Sequence, residues 1–185
     1  MERAPGRKRQ LVLLGIAMVA FYVPLVILEQ QLKDTGGPGI VEFEFLGSVE
    51  RAAEMLAEWG GEGHDLARKS LWIDYGFMAS YGAFLAVAAL ATRDFAREQG
   101  LRRLAAAGIA APFLAVGAAL FDAAENAALL IVLGGHGGSV APPLATACAS
   151  VKFVLLVLAL GYLVWGLVSR FRRRGDRPKT SQPRP

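Results

Sequence analysis

Cysteine and histidine are almost missing from this chain of 185 residues: Cys148 is the one cysteine, and His64 and His136 are the only histidines. No disulfide can close within the chain. Neither histidine, both read as loop residues, has a ligand-spaced cysteine or histidine beside it, so no metal site is expected. Ser48, Ser70 and Ser80 have no histidine at a recognisable motif spacing, which leaves a serine-hydrolase triad without support. Gly134-Gly135-His136-Gly137-Gly138 follows no strand and reads as a turn rather than a phosphate loop. Charged residues make up 19% of the chain, against about a quarter in soluble domains. Hydrophobic residues fill the gap at 54%, and the mean hydropathy is +0.40. An ordinary soluble domain is not the expectation.

Four apolar runs dominate: Leu11–Leu28, Leu71–Ala91, Leu104–Leu133 and Leu144–Val168. A spanning helix needs about 20 such residues. The pattern predicts an all-α fold, a four-transmembrane-helix bundle with spans near 11–28, 71–91, 104–133 and 144–168. The third run is long for one crossing, so tilt or interfacial ends are expected. Arg7-Lys8-Arg9 before the first run would suit a signal peptide. Yet Glu29-Gln30-Gln31-Leu32-Lys33 follows with no small-x-small cleavage site, which favours an uncleaved helix.

Charge then predicts orientation. Arg3, Arg7, Lys8 and Arg9 precede the first run, with Glu2 opposing them. Segment 29–70 carries four Lys/Arg and nine Asp/Glu, a net of −5. Arg93, Arg97, Arg102 and Arg103 lie between the second and third runs. The segment after Val168 holds seven Lys/Arg and only Asp176. Basic and non-basic segments alternate across four spans, as the positive-inside rule requires. The expectation is a multi-pass inner-membrane protein with both termini cytoplasmic. The basic flanks are stop signals at a membrane surface, so no nucleic-acid partner is expected.

Residues 1–10 and 170–185 read as structureless basic ends. Segment 29–70 is the expected extracytoplasmic loop. Thr35-Gly36-Gly37-Pro38-Gly39 opens it as a breaker. Ile40–Phe45 alternates apolar and acidic, which suits a short extended stretch. Ser48 is a suitable N-cap, with Glu50 in the first turn. Val49, Ala52, Ala53, Leu56 and Ala57 follow at helical spacing, and Gly60-Gly61 ends the run. The loop thus contains a short amphipathic helix near 48–59, lying on the outer face. Ala115, Ala119, Ala123 and Ala127 form a small-residue stripe suited to close helix contact. Pro112 should kink the third helix or end its first segment.

Ionisable residues inside the apolar runs are the most informative feature. Asp74, Asp122, Glu125 and Lys152 each cost roughly 2.5–3.5 kcal/mol at a helix centre, so such residues face a bundle interior and have a role there. Asp122, Glu125 and Asn126 stand at i, i+3 and i+4, on one helix face. Glu125 and Lys152 are each eight residues from the outer end of their runs, roughly 12 Å deep. They can therefore lie at one level. Tyr81 stands two turns beyond Asp74 on the same face. The candidate cluster is Asp74, Tyr81, Asp122, Glu125, Asn126 and Lys152, with Lys152 neutralising Glu125 or Asp122. Asn126, Tyr75 or Tyr81 would complete its hydrogen bonds. Trp59, Trp72 and Trp165 read as interfacial anchors or core.

Gly39–Ser48, Trp59-Gly60, Asp74-Tyr75-Gly76-Phe77 with Tyr81, Asp122-Ala123-Ala124-Glu125-Asn126 and Lys152 together carry a resemblance. The chain resembles an uncharacterised bacterial family of small four-span integral membrane proteins, over roughly residues 35–165. The resemblance implies an integral membrane protein and carries no activity, so no catalytic residue is assigned and no cofactor is implied.

Two function classes follow. The first binds or handles a small molecule or lipid from the outer side, through the polar cluster. Acids in excess of cations suit general acid/base or proton-relay work as well as binding. The second is a structural or accessory subunit of a membrane complex, where the cluster only locks helix packing and a membrane protein partner covers the bundle. An ion carrier is a poorer choice, because broken helices and internal repeats are missing.

Overall fold

The computed structural model describes residues 5–175, and among these all regular structure is helical. The elements are α1 (Pro5–Asp34), α2 (Ile40–Glu44), α3 (Val49–Glu98), α4 (Arg102–Ala107), α5 (Ala111–Leu133) and α6 (Ala141–Gly175). Four stretches are long and apolar enough to cross a membrane: α1, α3, α4 with α5, and α6. This is the all-helical bundle of four membrane-length helices that the apolar runs predict.

The helices overrun the apolar runs at both ends. α1 begins at Pro5, so residues 5–10 are helical rather than structureless, and residues 1–4 lie outside the described residues. α6 likewise reaches Gly175, and the tail 176–185 lies outside the described residues. Once a long helix is nucleated, each added residue gains a hydrogen bond, so polar flanks continue it at little cost.

Segment 29–70 is mostly helical. Ile40–Glu44, expected as extended, forms the single helical turn α2. Its alternation is too short to set a period, and tertiary contacts decide instead. Phe43 is fully buried with its ring 4.8 Å from that of Trp59. The Ile40 N–H donates to Glu29 Oε2 at 2.8 Å.

Ser48 caps α3 as expected, its hydroxyl accepting from the Arg51 N–H at 3.2 Å. The helix then runs to Gly60, which sits at φ +58, ψ −165 and kinks it. Only glycine adopts such angles without strain. No loop follows the kink: residues 61–70 are helical and prolong the second membrane-length helix. His64 lies in that helix, not in a loop, with Nε2 3.0 Å from the Leu56 carbonyl. Before the kink, Ala52, Met55 and Trp59 are buried. Val49, Ala53 and Ala57, expected on the apolar side, are exposed. The larger Met55 and Trp59 side chains win the buried face because they remove more apolar area from water. Trp59 Nε1–H also donates to the Pro38 carbonyl at 2.7 Å, fastening the breaker turn.

The third apolar run is broken. α4 ends at Ala107, and α5 opens at Ala111 with Pro112 in its first turn. Proline lacks an N–H and is tolerated there because first-turn N–H groups have no helical acceptor.

α5 packs against both α3 and α6, α3 also meets α6, and α1 lies along α3. A Cβ on Gly82 of α3 would stand 2.8 Å from Ala119 Cβ, so glycine permits this approach. The small-residue stripe on α5 holds only in part. Ala115 is buried and Ala119 and Ala123 are half-buried, but Ala127 is exposed. A spacing of four drifts about 40° per step around a helix of 3.6 residues per turn. The buried line therefore passes from Ala111, Ala115 and Ala118 to Asp122, Glu125 and Leu129. α2 covers the bundle end where α5 finishes and α6 begins. At the opposite end Arg7 pairs with Asp94, tying α1 to α3.

Candidate functional site

Lys152 organises the site from the first half of α6. Its side chain is nearly sealed, at 5% exposure. Its Nζ lies 3.1 Å from Asp122 Oδ1, 3.0 Å from Glu125 Oε1 and 3.1 Å from Glu44 Oε2. A lysine ammonium has three donors, and three carboxylates take them. Glu125 is fully buried. Its Oε2 stands 2.8 Å from Nζ as an ion contact but receives no hydrogen bond of its own.

The helical spacing on α5 explains how one helix serves two partners. Asp122 and Glu125 reach Lys152 on α6. Asn126, one residue on, turns to α3 and spends both amide hydrogens there. Its Nδ2 donates to the Leu71 carbonyl at 3.1 Å and to Asp74 Oδ2 at 2.9 Å. Tyr81 donates its hydroxyl to Asp122 Oδ2 at 2.7 Å. Tyr81, Asp122, Glu125 and Lys152 thus form one hydrogen-bonded network, and Asp74 with Asn126 forms a second pair alongside it; among the described residues no hydrogen bond joins the two. Tyr75 takes another direction and donates to the Ala123 carbonyl at 3.2 Å.

Glu44 is the member that sequence reasoning missed. It closes α2, outside the apolar runs, and is held by its backbone. Thr146 Oγ1 donates to the Glu44 carbonyl at 3.3 Å and accepts the Gly47 N–H at 3.0 Å. Phe45 stacks on Phe153 of α6, ring centroids 5.8 Å apart. These contacts turn Glu44 inward. Burial pushes its carboxyl above the usual carboxylate range, with Lys152 pulling the other way. The available signal was a lone acid between Phe43 and Phe45; the net −5 of the whole segment hid it.

A groove of about 430 Å³ opens beside the network. It lies within the range of about 300–1,000 Å³ typical of small-molecule sites. Glu44, Asp74, Asp122 and Lys152 line its polar end, while Phe77, Phe84, Phe153, Leu156 and Leu160 line the rest. Met18 of α1 forms the far wall. α1 packs along α3 and makes no sustained contact with α6, so the groove opens sideways between them. Leu160 lies eight residues beyond Lys152, or about 12 Å along the helix. The lining holds carboxyls and one phenol but no serine, cysteine or histidine. It offers charge recognition and proton exchange, not nucleophilic attack by those residues. Among the described residues no group of His, Cys, Asp or Glu is arranged to hold a metal ion.

Trp59 is core, whereas Trp72 and Trp165 are exposed at 62% and 45%. Comparison with protein-family models, with curated proteins and with solved structures finds no match for this chain in any of the three.

Proposed function

We propose that this chain is a multi-pass inner-membrane protein that binds an amphiphile, a lipid or lipid-like small molecule, in the groove between α1 and α6. The observation that carries this reading is the continuity of the groove. One end is a buried charge network and the other is a lipid-facing apolar trough, so a polar head and an apolar tail are both accommodated. The positive-inside pattern supports cytoplasmic termini. α2 and the helix before Gly60 then lie on the outer side, and Glu44 reaches the headgroup region from there. The four-span family that the sequence resembles adds no activity to this reading.

Native mass spectrometry of protein released from membranes in a neutral detergent tests it. A retained amphiphile that is lost on Leu156→Trp, which fills the trough, is the expected result. Wild-type protein that binds no amphiphile, retained or added, would sink the reading.

A second reading is a structural or accessory subunit. The saturation of Lys152 by carboxylates from α2 and α5 favours it, because three elements are locked by one side chain. Such a protein would show no saturable ligand, and its network would act only on stability.

A further inference from the structure

We infer that the ligand of the groove carries a cationic head, an ammonium group on an apolar chain; this rests on the amphiphile-binding reading above.

The balance of donors and acceptors in the groove sets the sign of the head it can receive. Four carboxyls, those of Glu44, Asp74, Asp122 and Glu125, stand against the single ammonium of Lys152. The three N–H donors of that ammonium are already directed at Glu44, Asp122 and Glu125. A phosphate, sulfate or carboxylate head entering the groove would find no free cation. It would have to displace one of these carboxylates and leave that acid buried without a partner, which is strongly unfavourable. Tyr81 has also spent its one hydroxyl hydrogen on Asp122.

What remains on offer is acceptor. Asp74 lines the groove and is only half-buried. Its Oδ2 takes the Asn126 amide, and among the described residues its Oδ1 receives no hydrogen bond. The walls agree with this sign. Phe77, one turn from Asp74 on α3, and Phe153, next to Lys152 on α6, line the groove with the carboxyls, and Phe84 lines it further along α3. Aromatic faces attract cations through the ring quadrupole, and they do so most strongly away from water. The Lys152 Nζ already lies 4.9 Å from the Phe153 ring centroid. Carboxylate and aromatic rings side by side are the chemistry that receives an organic ammonium; the apolar trough beyond receives its chain.

The test uses the full-length protein in a maltoside detergent and three probes with one dodecyl chain each. Their heads are trimethylammonium, sulfate and uncharged hydroxyl. Equilibrium binding is read by titration calorimetry. The expected result is saturable binding of the ammonium probe at least about tenfold tighter than the alcohol, with the sulfate weakest. Asp74→Asn should erase most of that preference, the ammonium probe losing far more affinity than the alcohol, and a melting curve in detergent reports that the variant folds. Leu156→Trp should abolish all three. If the three probes bind equally well, or the sulfate binds best, the cationic head is wrong while the amphiphile groove stands. If no probe binds saturably, both fall.

A membrane lipid with an ammonium head and a free lipophilic amine share this chemistry. Repeating the ammonium titration in nanodiscs with and without an ethanolamine-headed lipid separates them. Competition by that lipid assigns the site to a headgroup, and indifference assigns it to the free amine.

Discussion

Glu44 and Lys152 stand 108 positions apart in the chain and 3.1 Å apart in space. The pair joins a helix of five residues at one end of the bundle to the interior of α6. Through Lys152 it also joins both to α5. The α2 cover, the charge network and the groove are therefore one mechanical unit, and disturbing one member should be felt in the others.

Lys152→Met is expected to destabilise the bundle strongly. It strands carboxylates whose burial depends on the ammonium, a loss of about 3–5 kcal/mol for a broken buried pair. The double variant Lys152→Met with Glu125→Gln should recover part of that loss, because fewer charges are left unpaired. Thermal melting in detergent measures both. A single variant as stable as the parent would mean that the network contributes nothing to packing.

Glu44 links stability to pH. Its carboxyl titrates higher in the folded protein than its ordinary value of 4.5, because it is buried. The folded state therefore holds this proton more tightly than the unfolded chain does. The resulting stabilisation is full below 4.5 and is lost as pH rises through the elevated folded value. Glu44→Gln cannot lose a proton, so its stability profile should decline less over that window. Parallel profiles for parent and variant would overturn this.

Gly60→Ala should destabilise by about 1–3 kcal/mol, since a side chain is forced into a backbone region reserved for glycine. Gly61 is helical and has nothing within 4 Å of an added Cβ. Gly61→Ala should accordingly be neutral or stabilising, by up to about 1 kcal/mol. Equal effects at the two positions in a melting experiment would argue against the kink.

Trp59→Phe keeps an aromatic ring against Phe43 but loses the hydrogen bond to the Pro38 carbonyl. The expected loss is about 1 kcal/mol. Trp59→Ala should lose about 3–5 kcal/mol, because a cavity opens in the core. Both are read from melting midpoints.

Orientation is open to direct labelling. In a Cys148→Ala background, Glu54→Cys should react with a membrane-impermeant maleimide added to intact spheroplasts. Arg102→Cys should react only after permeabilisation. The reverse pattern would place α2 and its groove entrance on the cytoplasmic side.

Several features were readable in the sequence because they depend on neighbours close along the chain. Run length alone marks four membrane-length helices, since each needs about 20 apolar residues. Ser48 as a cap and Pro112 as a break in the third run follow from backbone chemistry within one turn. Asp122, Glu125 and Asn126 share a face because helical spacing puts them there. Tertiary structure decided the rest. Whether α5 shows that face to α3, to α6 or to both depends on how helices rotate against one another, which no local period encodes. α2 is helical because Phe43 finds Trp59, although its own six-residue pattern is ambiguous. Glu44 looked like one more loop acid until packing carried it to a lysine far along the chain. The groove has no sequence signature at all. It exists because α1 packs along α3 and leaves α6 unpaired on that side.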